Sequence, residues 1–169
     1  MTERETERKA FAAYLRTAVF GVEDSLVSTV GLLSGIAVAG VPRSAILVTG
    51  FVLIFVEAFS MAVGSWLSEN AAQEYENRRD VPLRRSFDEG VVMFVSYFIF
   101  GFVPLAPYLM LEVSDAFPVS VAVSLVALFA LGAASGRISH AGIARNGLRM
   151  LLVGGLAIAV GIFVGVLVR

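Results

Sequence analysis

Apolar and charged positions in this chain are segregated into long blocks rather than interleaved. Three blocks, Gly90–Leu111, Ala116–Gly136 and Met150–Val168, contain no charged residue. A helix needs about 20 apolar residues to cross the roughly 30 Å hydrocarbon layer of a bilayer, so each block is long enough to span. Two further blocks are as greasy overall but carry acids. Thr17–Gly40 holds Glu23 and Asp24 near its start, and Ser44–Ser68 holds Glu57 in its middle. An open sheet would leave backbone groups unpaired in lipid, which selects helices. The pattern predicts an all-α integral membrane protein with five transmembrane helices, over about 17–40, 44–68, 90–111, 116–136 and 148–168.

The polar stretches between the blocks organise the rest. Residues 1–16 mix acids and bases and lack a small-residue cleavage site after a short apolar run, which argues against a cleaved signal peptide. They predict a cytosolic or interfacial lead-in helix that lays Phe11, Tyr14 and Leu15 on the membrane surface. The one sizeable loop, 69–89, is rich in both charges. Ser68–Asp80 contains no Gly or Pro and predicts a helical continuation of the second span, which Pro82 then breaks. Basic residues number eleven on the side of the amino terminus and the second and fourth loops, against two (Arg43 and Arg169) on the other. The positive-inside rule then puts the amino terminus in the cytosol and the carboxyl terminus outside or in a lumen. No soluble domain or internal repeat is evident.

Composition excludes the other broad classes. The 169 residues are 57% apolar and 16% charged, where a soluble domain is about 45–50% apolar and about 25% charged. Low charge, the lack of a Gly-X-Y period and zero cysteines remove disorder, collagen, disulfide scaffolds and thiolate chemistry. A formal net charge of −1 gives no footprint for nucleic acid. An intramembrane enzyme finds no support either, since the spans hold no histidine and no Gly-x-Ser-x-Gly elbow.

What remains unusual is the cost of the acids. A carboxylate at the bilayer centre costs roughly 2.5–3.5 kcal/mol on insertion scales. Glu23, Asp24 and Glu57 all lie at or near membrane depth, and the nearest bases, Arg16 and Arg43, sit at the block ends. Buried carboxylates without a basic partner escape by taking a proton or binding a cation. Glu57 and Met61 are four apart and share a helix face, as do Asp24 and Ser28. Carboxylate oxygen beside thioether sulfur suits a transition-metal ion, whereas Mg²⁺ and Ca²⁺ prefer oxygen alone. Each residue also has a structural reading. Glu23 is about one turn from the boundary and can snorkel to water; Asp24 can bond a neighbouring backbone; Met61 can be filler. Mid-span Glu57 has no such outlet. Glu69, Glu74 and Glu76 read as a solvated helix face that at most draws cations to a cytosolic entrance, and His140 as a surface residue. Glycine pairs at spacing four, Gly31/Gly35, Gly132/Gly136 and Gly161/Gly165, together with Ala58/Ala62, permit close helix approach. Trp66, Tyr97 and Tyr108 read as interface anchors.

Four local patterns together resemble the vacuolar iron transporter family, which moves Fe²⁺ or Mn²⁺ out of the cytosol. They are Gly21-Val22-Glu23-Asp24-Ser25-Leu26-Val27-Ser28, Ser60-Met61-Ala62-Val63-Gly64, Val103-Pro104-Leu105-Ala106-Pro107-Tyr108, and the glycine- and arginine-punctuated run from Ala130-Leu131-Gly132 through Gly136-Arg137 to Gly154-Gly155. The resemblance covers Thr17–Val168. It implies a homodimer whose ion pathway runs along the first two helices of each protomer, with Asp24 and Met61 at the pathway positions. Three departures stand out: Ser25 replaces the family's Gly after the Asp, Leu53 stands where members with a collecting domain carry Glu, and about twenty residues replace that metal-collecting domain. The expectation is a short-form Fe²⁺ or Mn²⁺ exporter working against protons, with Asp24, Glu57 and Met61 on the metal and Glu23 as proton relay or outer ligand. The ion is cargo, and no cofactor is implied. Lipid, protons and a second copy are the expected partners. Compactness and the missing domain point to a prokaryotic cell membrane. The alternative is a relative that no longer transports, a membrane scaffold or sensor.

Overall fold

The computed structural model describes residues 3–78 and 80–169. Five long helices follow one another: α1 (Glu3–Val38), α2 (Arg43–Asn77), α3 (Phe87–Met110), α4 (Val113–Ile138) and α5 (Ile143–Val168). Every one is long and apolar enough to cross a membrane. Their outward faces stay apolar, with Val52, Phe55, Phe59, Leu152, Leu156 and Phe163 all exposed, as suits a lipid solvent. The fold is thus the five-helix membrane bundle that the charge-free blocks imply.

Helix boundaries follow local chemistry. Nothing between Glu3 and Val38 breaks a helix, so the expected lead-in and the first span form one continuous 36-residue α1; Met1 and Thr2 lie outside the described residues. α1 ends at Gly40, whose φ of 80° lets the amides of Gly40 and Val41 reach back to Ala37 and Ile36. This closes the helix with a glycine in the left-handed region. The same pair of bonds ends α4, with His140 in the left-handed position at φ 52° and its side chain exposed. α2 runs 35 residues, or about 52 Å at 1.5 Å per residue, well beyond the hydrocarbon thickness. Its last turns therefore project past the bilayer until Arg78 turns left-handed and Pro82 leads into a short 3-10 turn, Leu83–Ser86.

α1 occupies the centre. It packs against α3, α4 and α5, and only sparsely against α2, which lies mainly on α3. Small residues permit the closest approaches. A methyl at Gly161 would overlap the carbonyl oxygen of Gly31, and one at Gly165 would overlap that of Gly35, so the two expected glycine pairs face each other across α1 and α5. Ala62 sits against Gly90, joining α2 to α3. Phenylalanine rings fill the rest of that seam, Phe51 against Phe102 and Phe55 against Phe98, at centroid distances of 5.9 and 5.0 Å. Tyr97 and Tyr108 are fully buried in the bundle, not anchored at its interfaces. Trp66 lies within α2 opposite the start of α3, donating its indole N–H to the Leu83 carbonyl at 2.7 Å and packing edge-on against Phe87.

Candidate functional site

The three membrane acids are electrostatically linked through Asp24, which lies in the field of Glu57 and whose own field reaches Glu23. Asp24 on α1 and Glu57 on α2 are both half-buried, and Asp24 lies within the electrostatic field of Glu57. A third helix joins them. Tyr97 of α3 is completely buried, and its phenol feels both carboxylates. A buried phenol needs a polar partner; here the hydroxyls of Tyr97 and Ser28 share a hydrogen bond of 2.7 Å. Ser28 is one turn along α1 from Asp24, on the same face. The Ser25 hydroxyl donates to the Tyr97 carbonyl at 2.6 Å. The serine that departs from the family pattern thus bonds α1 to the backbone of α3 beside the acids.

The nearest bases are committed elsewhere. Arg16 pairs with Glu69 at 3.7 Å. Arg43 pairs with Glu112 at 3.7 Å and donates to the Tyr108 and Leu109 carbonyls at 2.7 Å each, capping the end of α3. Among the described residues no ion pair involves Glu23, Asp24 or Glu57, and no three His, Cys, Asp or Glu side chains converge as a metal cage. One protomer therefore offers two carboxylates and neighbouring hydroxyls, a partial shell for a divalent cation.

Met61 lies one turn from Glu57 toward the α2–α3 connection. It lines a cleft of about 430 Å³ with Arg16, Thr17, Phe20, Ser65, Ser68 and Met93. Glu23 goes elsewhere. It faces a separate hollow of about 290 Å³ shared with Asn146 and Arg149. Consecutive helix residues do not share a face, which separates it from Asp24. At the connection end, Glu69 is held by Arg16 and accepts from Gln73 at 3.1 Å. Glu74 accepts from Asn70 at 2.9 Å and from the Val81 amide at 3.5 Å, bracing the chain as it leaves α2, while Glu76 is exposed.

The sequence reading missed Tyr97 as a member of this group. A signal was available, since Tyr97 lies seven residues inside the charge-free block that begins at Gly90, about 10 Å from its end and too deep for an anchor. It also missed Glu89, which is buried at the start of α3 and accepts a hydrogen bond from Thr17 at 2.6 Å.

Architecture and site together define a polytopic helical membrane protein with two linked acids, on α1 and α2, that form no ion pair among the described residues. Residues 15–88 and 79–166 match the model of the VIT family, and the chain belongs to that family. It is 33% identical over 167 residues to vacuolar iron transporter homolog 1 of Oryza sativa subsp. japonica, covering 89% of this chain and 72% of the relative. Homolog 5 of the same plant is 31% identical over 168 residues, with 92% and 81% covered. Vacuolar iron transporter 1 of Tulipa gesneriana is 23% identical over 218 residues, with 92% and 88% covered. The chain is a short form of the family: between α2 and α3 lie only residues 78–86, with no intervening domain.

Proposed function

We propose that this protein is a divalent transition-metal transporter that carries Fe²⁺ or Mn²⁺ out of the cytosol in exchange for protons. The observation that supports this reading is the Asp24–Glu57 couple: two half-buried acids from different helices, Asp24 in the field of Glu57, while the nearby arginines serve other partners. Two carboxylates at low dielectric cannot both remain charged and empty; they share a proton or hold a cation. Metal binding requires deprotonated ligands and therefore releases protons. Loading from a metal-bearing side and discharge into a more acidic one follow from that competition. Met61 favours a transition metal over Mg²⁺, and Glu23 serves as an outer proton site in its own hollow. The ligands one protomer lacks come from water and from the same face of a second copy, which makes the working unit a homodimer. The amino terminus and the α2–α3 connection face the cytosol, in keeping with the distribution of basic residues, and Glu69, Glu74 and Glu76 surround the entrance.

The relatives are plant proteins whose names refer to the vacuole, and they lend no support to the prokaryotic cell membrane expected from compactness. The partial ligand set favours one second reading, a scaffold or sensor relative that binds without moving metal. Proteoliposome flux separates the two. The wild-type protein takes up Fe²⁺ or Mn²⁺ faster when the vesicle lumen is more acidic than the outside, and Asp24→Asn and Glu57→Gln each lower the rate by about 100-fold, the upper range for losing an interaction at a metal site. Wild-type rates in both variants would remove the acid couple from the pathway. No flux in the wild type for any divalent ion would favour the scaffold.

A further inference from the structure

The hollow that Glu23 faces carries charges of both signs. Glu23 of α1, Ser135 of α4, and Asn146 and Arg149 of α5 line about 290 Å³ of open space. Neither Glu23 nor Arg149 enters an ion pair among the described residues, so a carboxylate and a guanidinium share the hollow without closing on each other. The packing of α1 on α5 fixes their level. Gly31 meets Ala157 and Gly35 meets Gly161, and the same register sets Glu23 opposite the turn of α5 that carries Arg149. From Arg149 to Val168 the helix rises about 28 Å, close to the roughly 30 Å hydrocarbon layer, which leaves Arg149 at headgroup depth. Asn146 is seated by a bare glycine of α4: a methyl on Gly136 would come within 3.0 Å of its amide nitrogen.

Toward the bilayer centre the polar lining stops. Val153 lines both this hollow and an apolar groove of about 770 Å³ between α1 and α5, so the two form one surface. The groove follows α5 from Val153 to Val168, about 22 Å, longer than the roughly 15 Å that one leaflet contributes to the hydrocarbon layer. Ser28 alone among its lining residues is polar, and its hydroxyl is engaged with Tyr97. Opposite charges at headgroup depth over an apolar channel match a zwitterionic phospholipid. The polar groups choose among such lipids. Arg149, the Asn146 amide and the Ser135 hydroxyl supply donors for a phosphate. An ionised Glu23 only accepts, so it favours a primary ammonium, with three N–H groups, over a quaternary one with none. We propose that this surface binds an ethanolamine phospholipid from the leaflet nearest the amino terminus, with its phosphate on Arg149, its ammonium on Glu23 and an acyl chain in the α1–α5 groove. The proposal goes beyond the transport reading and does not depend on it; a proton and the lipid ammonium compete for the same Glu23 oxygens.

The test uses the full chain in detergent, read by native mass spectrometry, with phosphatidylethanolamine and phosphatidylcholine of identical acyl chains added at equal concentration. The wild type retains the ethanolamine lipid about tenfold more, the difference made by one charge-assisted hydrogen bond. Glu23→Gln removes the negative charge and brings the two lipids level. Arg149→Gln lowers retention of both, since both carry the phosphate. Val160→Trp puts a ring into the groove from an exposed position, weakening both lipids while their ratio stays unchanged. Equal retention of the two lipids by the wild type, or an undiminished preference in Glu23→Gln, overturns the proposal. So does a dimer that carries no lipid where the separated protomer carries one, because the groove then belongs to the second copy. Metal flux enters none of these readings, so failure of the lipid site and failure of the transport reading are told apart.

Discussion

The two sides of α1 are built on opposite terms. Toward α5, Gly31 and Gly35 meet Gly161 and Gly165 so closely that a methyl fits at none of Gly35, Gly161 and Gly165. Toward α2 the contacts are sparse, and the space between holds acids, hydroxyls, thioethers and an open cleft. One side is joined by backbone approach, as small residues allow between membrane helices, with an apolar groove of about 770 Å³ left alongside the joint. The other stays loose enough to admit an ion and its water. The difference teaches that a single helix can be immobilised on one face so that its opposite face can carry charges no packed core would accept.

The joined side breaks first. Gly161→Val drives a branched side chain into the Gly31 carbonyl, and backbone cannot yield as a side chain would. We expect a loss of about 3 kcal/mol, the upper range for overpacking, read as a lowered thermal transition in detergent. Gly155→Leu on the same helix meets nothing within 4 Å and shifts stability by less than about 0.5 kcal/mol. Equal effects would erase the contrast between the faces. A smaller change comes from Ser25→Ala, which removes the buried bond to the Tyr97 carbonyl and costs about 1 kcal/mol. The smallest lies at the rim of the open side. Glu69→Gln removes the partly exposed pair with Arg16, costs less than about 1 kcal/mol, and its effect disappears in high salt because exposed pairs are screened.

Much of this was readable before any coordinates. Charge-free blocks gave away the spans because lipid tolerates little else, and the cost of burying acid singled out Asp24 and Glu57, which the fold then brings together. Gly31/Gly35 and Gly161/Gly165 were visible as spacings, though not as partners, since spacing carries no information about which helix lies opposite. The 100° step of the helix turns Glu23 toward a hollow with Asn146 and Arg149 while leaving it in the field of Asp24. Tyr97 and Ser25 escaped for a different reason. A tyrosine and a serine are ordinary in membrane helices, and only their meeting across α1 and α3 makes them part of the site.

The Ser25 and Ser28 bonds, with the glycine seam behind them, weld α1 to α3 and α5 into a stator. α2 is held on α3 by phenylalanine rings, by the Ala62–Gly90 approach and by the Arg43 bonds to the last carbonyls of α3, and it touches α1 only sparsely. Asp24 and Glu57 therefore sit on either side of the loosest joint that α1 makes, where a change in their charge meets the least resistance.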